Sequence, residues 1–167
     1  MAKSLIVYYS RSGNTKKVAE ALGKRLNCDP AERGQGHAQR ADLEEIKTEK
    51  NYAGAMGWIL AGKEGSQKTP AKIGAIEKNP ADYDLVIFGT PIWGWNISSP
   101  LRAYLEQNKD KFKKVAAFCT MGGSYGKCFE EIEKICGKHL EAKASFIDKD
   151  IAKGNIKEIE DFLKFLK

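Results

Sequence analysis

Ser4-Leu-Ile-Val-Tyr-Tyr9 runs without a break into Ser10-Arg-Ser-Gly-Asn-Thr15, and a helical pattern follows at once. The first stretch is a short apolar run of strand length. Val18, Leu22 and Leu26 then fall on one stripe at helical spacing. A strand that passes through a short loop into a helix aims several backbone N–H groups at one point, where the helix dipole adds partial positive charge. Ser10, Ser12, Asn14 and Thr15 add side-chain donors, and Gly13 tolerates a sharp turn and the close approach of a ligand. Capping a helix needs one such residue. Four hydrogen-bonding side chains within six positions exceed that need, so the loop reads as a phosphate cup. It lacks Gly-x-x-x-x-Gly-Lys-Ser/Thr, which disfavours nucleoside triphosphate hydrolysis, and it lacks the Gly-x-Gly-x-x-Gly dinucleotide fingerprint.

Outward from this unit, short apolar runs alternate with helical patterns. Strands are expected at Ser4–Tyr9, Asp42–Lys47, Asp84–Gly89, Val115–Thr120 and Ala142–Ile147. Helices are expected at Asn14–Leu26, Gly54–Gly62, Ser99–Asn108, Tyr125–His139 and Asn155–Leu166. Leu85-Val-Ile-Phe88 is continuously apolar, as a strand covered on both faces should be. Alternating βα units imply an α/β fold: a parallel sheet with right-handed crossovers and helices on both faces. In such sheets ligands bind beyond the carboxyl ends of the strands. The loops Ser10–Thr15, Thr90–Ile97 and Met121–Tyr125 should therefore converge. Asp29–Arg40 should lie at the opposite end as a charged surface insertion, with His37 a solvated loop histidine. Thr48–Ile76 emerges on the ligand side, and its Tyr52, Met56, Trp58 and Ile59 suit core first, then a subunit contact, or else a lid.

The second loop, Thr90-Pro-Ile-Trp-Gly-Trp-Asn-Ile-Ser-Ser99, places two tryptophans about a glycine where polar turn residues are usual. Indoles at a ligand mouth offer flat apolar faces to an aromatic ring system; one of Trp93 and Trp95 is expected to plug the gap between sheet and helix instead. The third loop, Thr120-Met-Gly-Gly-Ser-Tyr-Gly126, exposes backbone at Gly122 and Gly123 and adds Tyr125. A phosphate cup at one end and a flat heteroaromatic site at the other describe flavin mononucleotide (FMN).

These three loops resemble those of the flavodoxin-like FMN proteins, and the resemblance spans nearly the whole chain apart from Asp29–Arg40. Ser10-Arg-Ser-Gly-Asn-Thr15 is similar to the family's phosphate loop. Gly89-Thr-Pro-Ile-Trp-Gly-Trp95 and Thr120-Met-Gly-Gly-Ser124 are similar to its two isoalloxazine loops. The resemblance implies a three-layer fold with strand order 2-1-3-4-5, the short-chain form, and non-covalent FMN. It implies that Ser10, Ser12, Gly13, Asn14 and Thr15 hold the phosphate with the Arg11 N–H, and that Thr90 reaches it. Pro91, Ile92, Trp93, Gly94 and Trp95 would border the isoalloxazine on one side, and Thr120, Met121, Gly122, Gly123 and Tyr125 on the other. Gly94 would offer a flexible peptide to flavin N5. Flavodoxins that carry electrons are strongly acidic. This chain departs from them with a net charge of +6 and no Asp or Glu in Thr90–Ile97 or Met121–Tyr125. A less negative second reduction potential is expected.

The 167 residues suit a single domain, 1–167, with a core large enough to fold unaided. Leu5–Tyr9 is too short for a signal sequence and no apolar run reaches membrane-spanning length, so a cytoplasmic protein is expected. The lysines are interleaved with acids and follow no nucleic-acid-binding motif. Cys28, Cys119, Cys128 and Cys136 contain no Cys-x-x-Cys pair, so they are read as reduced structural residues, and no metal is expected. His139 is read as a helix C-terminal cap, and no side chain stands out as an acid or base. The preferred function is electron transfer by bound FMN with a redox partner protein. An NAD(P)H-dependent quinone, FMN or small-aromatic reductase of the same fold, as a monomer or a homodimer, is the first alternative. A binding module without redox work is the second.

Overall fold

The computed structural model describes residues 2–28 and 39–166. In chain order these form β1 (Ala2–Tyr8), α1 (Asn14–Asn27), β2 (Gln39–Glu45), α2 (Gly54–Gln67), β3 (Leu85–Trp93) and β4 (Asn96–Ile97). There follow α3 (Ser99–Asn108), β5 (Lys114–Met121), α4 (Cys128–Cys136), β6 (Leu140–Ile147), α5 (Asp148–Ala152) and α6 (Glu158–Phe165). Five strands run parallel in the order β2-β1-β3-β5-β6, which is the expected 2-1-3-4-5 once β4 is set aside. The two-residue β4 folds back antiparallel on β3, pairing Ile92 with Ile97 and Trp93 with Asn96.

Strand alternation divides the core between two faces. Leu5, Val7, Val86 and Phe88 meet Leu101 and Tyr104 of α3 and Ile132 of α4, with Ala61 of α2. Ile6, Tyr8, Ile87 and Phe118 meet Val18 and Leu22 of α1 and Phe162 of α6. Helices thus cover both faces, as the continuous apolar run in β3 requires. All the parallel strands end at one edge, and the loops after β1, β3 and β5 open there.

The structure departs from the sequence reading in several elements. β3 continues through Thr90, Pro91 and Ile92 to Trp93, so half of the expected second loop is strand. Pro91 is tolerated because it lies near the strand's end. α2 runs past Gly62 to Gln67 and stops where Lys68 turns left-handed (φ 56°). α4 begins at Cys128 rather than Tyr125, and α5 occupies a stretch read as connection. Gly137 (φ 62°) caps α4 with its N–H on the Glu133 carbonyl, so His139 is beyond the helix, fully exposed, and not the cap. Gln39 and Arg40 belong to β2. The remainder of the expected insertion, with His37, lies outside the described residues. All four cysteines are free thiols; Cys119, Cys128 and Cys136 are buried and Cys28 half-buried. Among the described residues no helix is long and apolar enough to cross a membrane.

Gly89 sits opposite Phe118 in the β3–β5 register, and a Cβ there would run into the Phe118 ring, itself fully buried and edge-on to Phe146. Gly89→Ala is expected to destabilise the fold by about 1–3 kcal/mol, the usual cost of overpacking. Urea unfolding checks it through a lower midpoint at unchanged slope.

Candidate functional site

The loop after β1 is organised around Ser10. Its Oγ accepts the N–H of Gly13 (3.1 Å) and of Lys16 (3.2 Å), so Ser10 does the capping. Gly13 takes φ 92° immediately before α1, a conformation natural to glycine. The first helical N–H groups, those of Asn14 and Thr15, have no acceptor within the helix. The first turn carries no acid to compensate the dipole. Ser12 is exposed and half-buried Arg11 lies beside it. Arg11 Nη1–H donates to the Tyr52 carbonyl (3.3 Å), bracing the loop against the segment that precedes α2.

Two further side chains tie this loop to its neighbours. Thr15 and Thr120 hydroxyls are hydrogen-bonded at 2.8 Å and both residues are buried, which joins the first loop to the end of β5. Asn14 Nδ2–H donates to Asp148 Oδ1 (2.9 Å) at the start of α5. The cup therefore has a carboxylate at its edge that the sequence reading did not include.

At the end of β3 the two tryptophans separate. Trp93 is buried against Tyr9 (centroids 5.5 Å, interplanar 85°) and Tyr52 (4.8 Å, 52°), where it plugs the gap between sheet and α2. Trp95 is 72% exposed at the tip of a two-residue turn in which Gly94 (φ 55°) and Trp95 (φ 59°) are both left-handed. Positive φ at both central residues matches the twist of the hairpin that closes β3 on β4. A Cβ on Gly94 would overlap Ser66 Oγ and the Gly62 carbonyl, so this glycine is required by packing against α2 as well as by φ. Thr90 is wholly buried. Its Oγ1 accepts the Ser98 N–H (3.0 Å) and is hydrogen-bonded to the Ser98 hydroxyl (2.9 Å), so it closes the hairpin. Pro91 and Ile92 are half-buried in β3.

In the third loop Met121 is buried at the end of β5, and Gly122 and Gly123 are exposed, with open space where a Cβ would stand. Tyr125 is 48% exposed, its ring 5.3 Å from that of Phe129. The Lys127 N–H donates to the Trp95 carbonyl (2.9 Å), which fastens the third loop to the second. Three loops thus open on one edge of the sheet, joined pairwise by Thr15–Thr120 and Trp95–Lys127.

The chain matches the flavodoxin family model over residues 3–162. It belongs to the flavodoxin family. The expectation of a non-covalent FMN stands with that membership. Among solved structures it is similar to a Lactobacillus acidophilus flavoprotein in complex with FMN, at 25% identity and a TM-score of 0.65, over 92% of this chain and 98% of that one. It shares its fold with an archaeal flavodoxin (16% identity, TM-score 0.56, 99% of each chain). It also shares it with an azoreductase from Bacillus anthracis (15%, 0.56, 96% and 98%).

Behind the flavodoxin loops lies a polar cluster without a local sequence signal. Glu64 of α2 is buried; its Oε2 accepts the Tyr52 hydroxyl (2.7 Å) and its Oε1 accepts Lys50 Nζ–H (2.7 Å). Burial pushes the Glu64 carboxyl up, but the bonds from Lys50 and Tyr52 outweigh it and leave it below the usual carboxylate range. Burial and the bond to Glu64 raise the Tyr52 phenol. A depressed carboxyl contributes stability above its unfolded value, about pH 4.3, and loses it as the pH falls through the lower folded value. Acid unfolding should accordingly be steeper below about pH 4.3 in the wild type than in Glu64→Gln, as measured by urea midpoints from pH 7 to pH 3.

Proposed function

We propose that the chain is a cytoplasmic electron-transfer flavoprotein that holds FMN non-covalently in a single flavodoxin-like domain and exchanges electrons with a redox partner protein. The observation that carries this reading is the convergence of a helix N-terminus whose own first turn holds no acid with an exposed indole and an exposed glycine pair at one sheet edge. The residues present fit the group. The free N–H groups of Asn14 and Thr15 and the hydroxyls of Ser10 and Ser12 suit a phosphate, with Gly13 allowing close approach. The exposed Trp95 and Tyr125 offer flat faces for the ring system, and Gly122 and Gly123 leave backbone open to its polar edge. Bound FMN supplies the redox chemistry. The chain's contribution is binding, orientation and electrostatics.

The division of labour follows from exposure. Trp95 is the stacking residue, because Trp93 is already enclosed by Tyr9 and Tyr52. Gly94 presents its peptide at the turn, held from behind by α2. The second and third loops carry no acid, so the negative charge of a reduced cofactor would meet little repulsion there. Asp148, hydrogen-bonded to Asn14, is on the phosphate side of the site. The free cysteines suit a reducing compartment.

A second reading, an NAD(P)H-dependent reductase, is favoured by one observation. α2, whose Gly62 and Ser66 back the Gly94 turn, also presents Met56 (77% exposed), Trp58 (66%) and Ile59 (58%) to solvent. An apolar surface beside the second loop could border a second substrate.

Purified protein is expected to take up FMN on titration and to remain yellow when NADPH is added anaerobically, with reduction by dithionite or a partner reductase. Rapid bleaching by NADPH alone would establish the reductase, and no FMN uptake would overturn both readings. Trp95→Ala is expected to weaken FMN binding by about 10–100-fold with little loss of stability, the scale of one aromatic stacking contact. Trp93→Ala should instead destabilise the fold by about 3–5 kcal/mol. FMN fluorescence quenching and urea unfolding separate the two effects.

A further inference from the structure

The turn that carries Trp95 is held from behind by a buried charge cluster. Arg102 of α3 and Glu131 of α4 are only 3% and 7% exposed. Arg102 Nη1–H donates to Glu131 Oε1 (3.0 Å), and Nη2–H donates to Asn96 Oδ1 (3.1 Å). The same Asn96 oxygen accepts the Ile97 N–H (2.8 Å). Lys68 Nζ–H, from the left-handed end of α2, donates to Glu131 Oε2 (2.9 Å). A guanidinium removed from water must have its donors filled. Its planar fork fixes the direction of two acceptors as well as their distance.

Those two acceptors belong to different walls of the site. Asn96 directly follows Trp95, and Glu131 lies one helical turn after Lys127, whose carbonyl accepts the Glu131 N–H (3.0 Å). Lys127 in turn donates its N–H to the Trp95 carbonyl (2.9 Å). The chain of contacts closes on itself: Arg102, Asn96, Trp95, Lys127, Glu131 and back to Arg102. Gly126 completes it, since a Cβ there would overlap the Trp95 carbonyl. A bulky residue at φ 59° is strained and persists only where its surroundings over-determine it. An ion pair whose purpose was stability alone could be exchanged for apolar packing without loss. This one splits its fork between the Asn96 side chain behind Trp95 and the Glu131 carboxylate on the helix behind Tyr125.

We propose that Arg102 is a positioning residue for the flavin platform: through Asn96 it holds Trp95 left-handed, and through Glu131 it sets the spacing of the second and third loops. The inference rests on the FMN reading above and names the residue that fixes its geometry.

The test compares Asn96→Ala with Asn96→Asp. Aspartate keeps an oxygen for both Arg102 and the Ile97 N–H, whereas alanine removes it and leaves the Arg102–Glu131 pair in place. Hydrogen exchange of the Lys127 amide in apo-protein, FMN affinity and the thermal midpoint are measured for each. The expected result is at least tenfold faster Lys127 exchange and at least tenfold weaker FMN binding in Asn96→Ala, with both restored in Asn96→Asp. Arg102→Lys, which has no fork, should behave like Asn96→Ala. Unchanged Lys127 exchange in Asn96→Ala would overturn the proposal. So would equal losses in the alanine and aspartate variants in step with their thermal midpoints, because the cluster would then serve stability alone. If wild-type protein takes up no FMN, the functional reading fails by itself, and the Lys127 exchange still decides whether Arg102 positions Trp95.

Discussion

β3 has to satisfy hydrogen bonds on both edges and apolar contacts on both faces, and the ligand edge of the molecule is arranged around the place where that obligation ends. Over Leu85–Gly89 it pairs with β1 on one side, and over Leu85–Pro91 with β5 on the other. β1 stops at Tyr8, so the last residues of β3 have lost that neighbour. β4 takes over by folding back on Ile92 and Trp93. The backbone is thereby satisfied in a hairpin rather than an open loop. The residue at its tip, Trp95, is presented outward, and the residue just before the turn, Trp93, goes inward.

That geometry explains which parts of the site were legible in the sequence. The phosphate loop was legible because everything it needs is local: an apolar strand, a glycine, hydroxyls and a helical stripe within about one turn of each other. The continuous run Leu85–Phe88 was legible because burial on both faces leaves no polar position. The roles of Trp93 and Trp95 were not. A strict strand period of two would place them on the same face, and the left-handed pair Gly94-Trp95 breaks that period. Hairpin turns of this kind are normally announced by Asn-Gly or Asp-Gly, and Gly-Trp announces nothing. The surroundings of Thr90 were hidden for a related reason. Its hydroxyl looked available in a loop and is consumed inside a hairpin.

The polar clusters were illegible on different grounds. Arg102 meets Glu131 across 29 positions, and Asn14 meets Asp148 across 134. The sequence reading assigns Asn14 to the phosphate and gives Arg102, Glu131 and Asp148 no role, since periodicity reports burial within one helix and nothing about what faces it. Arg102 is nevertheless on the buried side of α3 and Glu131 on that of α4. A charged residue on an apolar stripe could have prompted a search for an opposite partner on another such stripe.

The energetics of Trp95 follow from the same features. Left-handed backbone at a bulky residue costs on the order of 1–3 kcal/mol. An indole left 72% exposed recovers little of that by burial within the chain. Glycine or asparagine would satisfy the turn at lower cost, so folding alone does not account for tryptophan here. Covering about 100 Å² of the exposed ring would contribute roughly 2.5 kcal/mol, enough to offset the strain. In the free protein the compensation comes instead from contacts that tryptophan does not itself make with its side chain: the Lys127 N–H on its carbonyl and the Asn96–Arg102 bond behind it. The fold therefore maintains an unfavourable backbone conformation at an exposed indole, which supports the proposed role of Trp95 as a preorganised binding residue.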